Sequence, residues 1–184
     1  MDPEFKRYPI GRFQPSGELT PARIAECIGT IESFPAKLRM VVEPLPDVLL
    51  ESRYRQDGWT IRQIVHHVVD SHTNSYIRFR WVLTEENPTI KTYDQDGWAR
   101  LPDAQYGPVG MSLDFLDALH QRWVYLLCNI ADAQWQRTFY HPEMQQQLDL
   151  KWLLELYEWH CRHHLAHVEL AIHAPAPHTV QVNK

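Results

Sequence analysis

The amino-acid sequence predicts an all-α protein, a four-helix bundle with a long crossover loop between its second and third helices. Three observations support this fold class. Glycine is scarce, with seven among 184 residues, and no segment shows the strong apolar alternation that is typical of half-buried strands. Four long segments carry apolar residues at helical spacing, and a proline-rich stretch separates the second from the third. Helices of this length without a sheet pattern favour a bundle.

The first two predicted helices begin at capping signals. The first covers residues 20–42, because Thr20 is a good N-cap and the proline after it suits the first helical position. A kink is expected near Pro35, since proline lacks the amide hydrogen of the helical ladder. The second helix covers residues 60–84 and opens with a capping box that Gln63 completes.

The third and fourth predicted helices lie in the second half of the chain. The third covers residues 112–132, and the fourth covers residues 149–173, ahead of two prolines that cannot continue it. Residues 135–147, between them, are expected to form a short hairpin. Residues 87–111 form the long crossover loop, and a loop of this length inside a domain is typical of a functional or mobile segment.

Composition and charge narrow the class of protein. The chain is 44% apolar and 22% charged, which predicts one domain, 1–184, with flexible tails at 1–7 and 175–184. Its longest apolar run, residues 123–128, is too short for a membrane span, and no apolar leader opens the chain. A net charge of −5 argues against nucleic-acid binding. Three widely spaced cysteines argue against a disulfide framework, so we expect a cytoplasmic protein.

Histidine is the unusual residue type of this sequence. There are eleven histidines, and five of them fall within residues 160–173 of the fourth predicted helix. His160 and His164 are one helical turn apart, which places both imidazoles on one face, as in helical metal sites. The pairs His164 with His167 and His163 with His167 are alternatives at this point. Buried histidines that only form hydrogen bonds across the bundle would also explain an isolated pair.

The second predicted helix offers a third metal ligand. It contains His66, His67 and His72, and His67 lies on a polar stripe that continues through Asn74 and Arg78. His66 and His72 are expected to lie on the surface or behind the ligands. Two ligands from one helix and one from another form a three-histidine site with an open position, as in catalytic rather than structural zinc sites.

Other chemistries lack their motifs. No glutamate follows His160 to make the zinc-protease motif, and only residues 117–120 loosely resemble the ligand motif of di-iron bundles. A nucleophile elbow, a phosphate-binding loop and a dinucleotide fingerprint are all absent from the sequence. Cys161 adjoins His160, but adjacent helical positions point about 100° apart, so we interpret this cysteine as a packed or surface thiol.

Two long stretches closely resemble the YfiT branch of the DinB-like family. They are W-T-I-R-Q-I-V-H-H-V-V-D-S-H, which begins at Trp59, and Y-E-W-H-C-R-H-H-L-A-H, which begins at Tyr157. The similarity covers the chain from residue 8 to about residue 172. Shorter matching stretches lie at 8–11, 74–79, 93–94 and 139–142.

The resemblance implies a four-helix bundle, a homodimer, a cytoplasmic location and one divalent metal, with zinc expected and nickel as the alternative. The family's histidine eight residues after the tryptophan falls on His67, and its H-x-x-x-H pair falls on His160 and His164. The resemblance thus selects three ligands where helical spacing alone leaves alternatives.

The resemblance leaves the reaction open. Members of this branch are described as metal-dependent hydrolases, whereas related proteins transfer a low-molecular-weight thiol such as bacillithiol to electrophiles. We therefore expect the metal to activate either water or a thiol against a small-molecule substrate. A metal-binding stress protein without turnover is the third alternative. Asp70, His163 and Asn74 are the candidate base or orienting groups, and Arg78 and Trp98 are the candidate substrate-binding residues.

Overall fold

Helices dominate the computed structural model, which describes residues 3–174 of the chain. In chain order the α-helices are α1 (Pro3–Arg7), α2 (Pro21–Val42), α3 (Asp47–Leu50), α4 (Ile61–Thr84), α5 (Gln95–Trp98), α6 (Pro102–Tyr106), α7 (Val109–Cys128) and α8 (Leu150–Ile172). A 3₁₀ helix (Asp132–Gln136) and the antiparallel strands β1 (Thr138–His141) and β2 (Gln146–Asp149) connect α7 to α8. The predictions of an all-α fold and of a short hairpin are confirmed.

The long helices α2, α4, α7 and α8 form the predicted bundle. Helix α2 packs against α7 and α8, and α4 packs against the same two helices. Helices α2 and α4 therefore occupy opposite corners, and the chain crosses the bundle diagonally between them. The predicted crossover loop, which covers residues 85–108 in the structure, is long as expected, but it joins the neighbours α4 and α7, so the diagonal connection is the one between α2 and α4. The core between the helices contains the large buried side chains Phe34, Phe79, Leu116, Trp123 and Leu153.

Local capping signals place the helix starts close to their predicted positions. The Thr60 hydroxyl accepts a hydrogen bond from the Gln63 backbone, and the Gln63 side chain accepts one from the Thr60 backbone. This capping box fixes the first turn of α4. The side chains of Thr20 and Asp149 cap α2 and α8. Helix α7 begins at Val109, three residues before the predicted start.

Of the two expected flexible tails, the structure describes only part of the N-terminal one. Residues 3–7 form α1, and the Arg7 carbonyl accepts a hydrogen bond from Nε2 of His167 on α8. This part of the expected N-terminal tail is therefore fixed to the bundle. Residues 175–184 lie outside the described residues. In the part of the chain that the structure describes, no helix is both long enough and apolar enough to cross a bilayer.

The crossover loop contains α5 and α6 and is tied to the beginning of α4. The Gly107 carbonyl accepts hydrogen bonds from Arg62 at 2.9 Å and from Nε2 of His66 at 3.1 Å. The Gln63 amide donates to the Ala99 carbonyl at 2.8 Å. These bonds from consecutive turns of α4 hold the loop in place, so His66 has a structural partner rather than a surface position.

Candidate metal centre

Three histidines from two helices come together inside the bundle. His67 on α4 and His160 and His164 on α8 each contribute one ring nitrogen to a group whose atoms all lie within 4.8 Å of one another. Nitrogen ligands of a tetrahedral zinc ion are about 3.4 Å apart, so small ring movements would let one ion bind all three. The structure thus brings together the three predicted ligands, and the donor set fits a divalent metal.

The three rings are held in the uncharged form, which is the form that binds metal. Burial lowers the pKa of His67 to about 3. Removal from water also lowers the pKa of His160 and His164 well below the ordinary value, and the neighbouring histidine rings add to this effect. At neutral pH each ring therefore has a lone pair on one nitrogen.

A line of hydrogen bonds runs from His160 away from the three-histidine group. Nδ1 of His160 lies 3.0 Å from Nε2 of His72, and Nδ1 of His72 lies 2.7 Å from Nε2 of His120. Nδ1 of His120 donates in turn to the Ile31 carbonyl of α2, at 2.7 Å. His72 therefore lies behind a predicted ligand, which is one of the two positions expected for it.

His164 has a shorter line of hydrogen bonds. Its Nδ1 lies 3.5 Å from Nδ1 of His167, whose Nε2 donates to the Arg7 carbonyl at 3.2 Å. His163 instead stacks on Trp159, with ring centroids 4.2 Å apart. His163 and His167, which spacing left open as ligands, thus lie beside the three-histidine group.

The three histidines line a cavity of about 850 Å³, a volume typical of small-molecule sites. Its walls combine aromatic and charged side chains from α1, the turn before α4, the crossover loop, the hairpin and α8. The aromatic lining residues are Tyr8, Phe13, Tyr54, Trp59, Tyr93, Trp152, Tyr157 and Trp159. The charged lining residues are Arg7, Arg55, Arg78, Asp57, Asp94, Asp96 and Glu143.

The two predicted substrate-binding residues differ in position. Arg78 is buried and lines the cavity, and one of its terminal nitrogens donates to the Lys91 carbonyl at 3.0 Å. Its Nε has no hydrogen-bond partner within the described residues. Trp98 is not among the lining residues, but it packs on Tyr93, with ring centroids 4.5 Å apart, and Tyr93 does line the cavity.

Two of the candidate base and orienting groups, Asp70 and Asn74, lie outside the cavity lining, whereas the third, His163, is part of it. The Asn74 amide donates to the Asp70 backbone carbonyl at 2.8 Å, so it is used within α4. Burial and the negative charge of Asp103 on α6 raise the pKa of Asp70 to about 6. The structure therefore places the Asp70 carboxyl on the side of α4 that faces α6.

Sequence reasoning missed His120 and Tyr93. His120 lies on the apolar stripe of α7, between the buried Leu116 and Trp123. A histidine within such a stripe indicates a buried hydrogen-bond partner, and this signal was available from the sequence. Tyr93 lies in the crossover loop, where helical periodicity gives no information about which side chains face a cavity.

The fold and the site together define a class of protein: helical bundles that carry a candidate three-histidine metal centre in a cavity. Comparison with protein families gives the particular family. The family described as the DinB superfamily matches residues 30–168, and the chain belongs to that superfamily.

Similar proteins from bacilli support the assignment to the YfiT-like branch. The chain is 49% identical over 162 residues to "Putative metal-dependent hydrolase BcerKBAB4_2443" of Bacillus mycoides (strain KBAB4), covering 88% of this chain and 92% of that protein. It is 44% identical over 161 residues to "Putative metal-dependent hydrolase YfiT" of Bacillus subtilis (strain 168), covering 88% and 90%.

A solved structure of YfiT from Bacillus subtilis matches with a TM-score of 0.88 and 44% identity, covering 90% of this chain and 95% of that chain. That protein is described as "a probable metal-dependent hydrolase with an unusual four-helix bundle topology". The resemblance predicted from the sequence motifs is confirmed, and so is the four-helix bundle.

Proposed function

We propose that this chain is a metal-dependent hydrolase of a small molecule, with one divalent metal, zinc, held by His67, His160 and His164. The observation that supports this proposal is the group of three uncharged imidazoles, two buried and one half-buried (His160), in the wall of an 850 Å³ cavity. Within residues 3–174, no fourth histidine, cysteine or carboxylate joins the group. Catalytic zinc sites use three protein ligands, whereas structural zinc sites use four.

A bound divalent ion supplies Lewis-acid chemistry, which makes water or a thiol nucleophilic at neutral pH. The chain itself positions the substrate. Arg78 is a buried cation with an unpartnered Nε in the cavity wall, so it can bind a carboxylate of the substrate. Burial raises the pKa of the neighbouring Tyr93 hydroxyl, which keeps this hydroxyl protonated as a hydrogen-bond donor.

The cavity lining indicates the class of substrate. Eight aromatic side chains surround the space, which suits a planar or apolar group. Cationic and anionic side chains are both present, and Arg78 is the buried member of this charged set. We infer a small substrate with an apolar body and a carboxylate.

Transfer of a low-molecular-weight thiol such as bacillithiol is the second candidate function. The acidic lining residues Asp57, Asp94, Asp96 and Glu143 are all exposed to water. Among the described residues, the cavity lining therefore includes no buried carboxylate that could act as a base. Hydrolysis depends on such a base more than thiol transfer does. With a haloarene, the thiol would lose its proton to solvent, its sulfur would bond to the ring carbon, and halide would leave with the bonding electrons.

Two substrates test the proposal and its alternative. Zinc-loaded protein, chelator-treated protein and the His160→Ala variant are incubated with 4-nitrophenyl acetate, and separately with 4-chloro-3-nitrobenzoate with and without bacillithiol. Zinc-dependent release of acetate without thiol supports hydrolysis. A thioether that forms only with bacillithiol and zinc, identified by mass spectrometry, supports transfer. Stoichiometric zinc without turnover of either substrate would contradict both and leave a metal-binding stress protein.

A further inference from the structure

The chain uses more histidines around the proposed metal centre than one ion can bind. His72, His120 and His167 are buried, with 0%, 2% and 3% of their surface exposed. Each forms hydrogen bonds through both ring nitrogens, and none belongs to the three-histidine group. A buried polar side chain lowers the stability of the fold unless it is hydrogen-bonded. These hydrogen bonds therefore explain how the bundle tolerates three further buried histidines.

The hydrogen bonds from His160 have one consistent direction. The Ile31 carbonyl can only accept, so Nδ1 of His120 must donate to it. A neutral imidazole has one donor and one acceptor nitrogen, so Nε2 of His120 accepts from Nδ1 of His72. By the same rule, Nε2 of His72 accepts from Nδ1 of His160. The proton of His160 is thereby placed on Nδ1, and its Nε2 keeps the lone pair.

Pro35 explains why the Ile31 carbonyl is available inside a helix. In an α-helix the carbonyl of residue 31 accepts from the amide of residue 35. Residue 35 is a proline within α2, and proline has no amide hydrogen to donate. The Ile31 carbonyl is therefore left without its helical donor and accepts from His120 instead.

His164 is oriented by the same logic from the other side of the molecule. The Arg7 carbonyl accepts from Nε2 of His167, so Nδ1 of His167 is the acceptor for Nδ1 of His164. The lone pair of His164 is again left on Nε2. The bond between the two rings is 3.5 Å long, so this arrangement constrains His164 less than the shorter bonds constrain His160.

We infer that two histidine relays, each anchored on a backbone carbonyl, fix the tautomers of two proposed metal ligands. The long relay consists of His160, His72, His120 and the Ile31 carbonyl. The short relay consists of His164, His167 and the Arg7 carbonyl. His72, His120 and His167 are positioning residues that keep Nε2 of each ligand unprotonated before metal binds. This inference rests on the proposed metal centre, but its first test needs neither metal nor turnover.

The first test reads the tautomers directly in the metal-free, full-length protein. Nitrogen-15 chemical shifts and two-bond couplings of the histidine rings show which nitrogen carries the proton. We expect Nδ1–H for His160, His72, His120 and His164, and Nε2–H for His167. Nε2–H in His160 or His164 would overturn the inference, whether or not the protein proves to be an enzyme.

The second test breaks the long relay at its anchor. His120→Leu removes both hydrogen bonds, whereas His120→Gln keeps one donor and one acceptor. Loss of an outer partner of a metal-binding histidine typically weakens metal affinity by about 10- to 100-fold. We expect a loss of this size for zinc in His120→Leu, and a smaller loss in His120→Gln. Affinity is measured by competition with a chromophoric chelator.

His66→Gln is the matched control, because His66 is a buried histidine of α4 that bonds to Ser112 and Gly107 instead of a ligand. Its zinc affinity should equal that of the parent. A folded His120→Leu protein with parental zinc affinity would overturn the inference. If His120→Leu does not fold, the inference is still tested by the ring tautomers of the parent protein and by the zinc affinity of His120→Gln.

Discussion

Nδ1 of His120 donates a 2.7 Å hydrogen bond to the carbonyl of Ile31, on the neighbouring helix. The carbonyl is available because the helical donor position four residues later is occupied by Pro35. A residue that is usually regarded as a helix breaker thus provides an acceptor in the bundle interior. This one contact connects a local sequence feature of α2 with the orientation of His160 on α8 through two intervening histidines.

Replacement of Pro35 by alanine should weaken this contact. The new amide hydrogen can compete with His120 for the Ile31 carbonyl. We expect zinc affinity to fall several-fold while the helical content by circular dichroism stays unchanged or rises. Pro21→Ala is the control, because Pro21 lies at the first position of α2, where an amide hydrogen has no helical acceptor. Equal zinc affinity in Pro35→Ala and the parent would show that His120 outcompetes a helical amide.

Removal of a proposed ligand should have a different effect from removal of a histidine beside it. His160→Ala should reduce bound metal from about one equivalent to a small fraction, because two imidazoles bind zinc far more weakly than three. His163→Ala should retain metal, since His163 stacks on Trp159 outside the three-histidine group. Elemental analysis after gel filtration measures both variants. Equal loss of metal from both would contradict the ligand assignment.

The bundle was predictable from the sequence because its signals are local. Capping residues and helical apolar spacing act within one or two turns, so the starts of α4 and α8 agree with the predicted starts. The crossover loop was less predictable. Its path depends on bonds between Gly107 or Ala99 and the first turns of α4, and such long-range bonds leave no periodic pattern.

The candidate site was predictable only as far as signals within one helix reach. The polar stripe of the second helix indicates His67, but helical spacing leaves three histidine pairs open on α8, and the choice of His160 with His164 required the resemblance. The roles of His72 and His120 depend on which helices are neighbours in the bundle, which spacing within one helix does not specify. For Asp70, sequence proximity to His67 was misleading, because its carboxyl faces Asp103.

Arg78 should determine affinity for a carboxylate on the substrate. In Arg78→Met, we expect KM for 4-chloro-3-nitrobenzoate to rise about 10- to 100-fold, because a charge-assisted hydrogen bond contributes about 1.5–3 kcal/mol. The neutral 4-chloro-3-nitrobenzamide should be affected much less. Steady-state kinetics of the thiol-transfer reaction compare the two compounds, with Arg80→Met as the control because Arg80 is exposed and bonds to Tyr76. Equal KM changes for acid and amide would exclude this role.

Asp70 should destabilise the folded protein at neutral pH. Its folded pKa is about 6, above the ordinary value of 3.8, so the cost of ionising it is fully present above pH 6 and disappears as the pH falls toward 3.8. Asp70→Asn should therefore raise the free energy of unfolding at pH 7.5 by about 1 kcal/mol, since partial exposure to water screens the charge. Urea denaturation measures this, and the exposed Asp132→Asn serves as the control. A loss of stability would contradict the prediction.

Acid should destabilise the metal-free protein through its buried histidines. Burial lowers the pKa of His67 and His163 to about 3, and the pKa of His120 and His167 to about 4. Below pH 6.5 the unfolded chain binds protons that the folded chain excludes. Stability is therefore greatest above pH 6.5 and falls as the pH decreases toward these folded pKa values. Protonation of Asp70 has the opposite effect and raises the free energy of unfolding as the pH falls, but one carboxyl does not offset four histidines.

Each excluded proton changes the free energy of unfolding by about 1.4 kcal/mol per pH unit. The free energy of unfolding in urea should therefore fall by several kcal/mol between pH 7.0 and pH 5.5. His120→Gln should reduce the slope by about one proton, whereas the exposed His173→Gln should leave it unchanged. A free energy of unfolding that stays constant or rises over this interval would show that the buried rings already carry protons at neutral pH. The single-proton argument for the direction of the long relay would then fail, because a charged imidazole donates through both nitrogens.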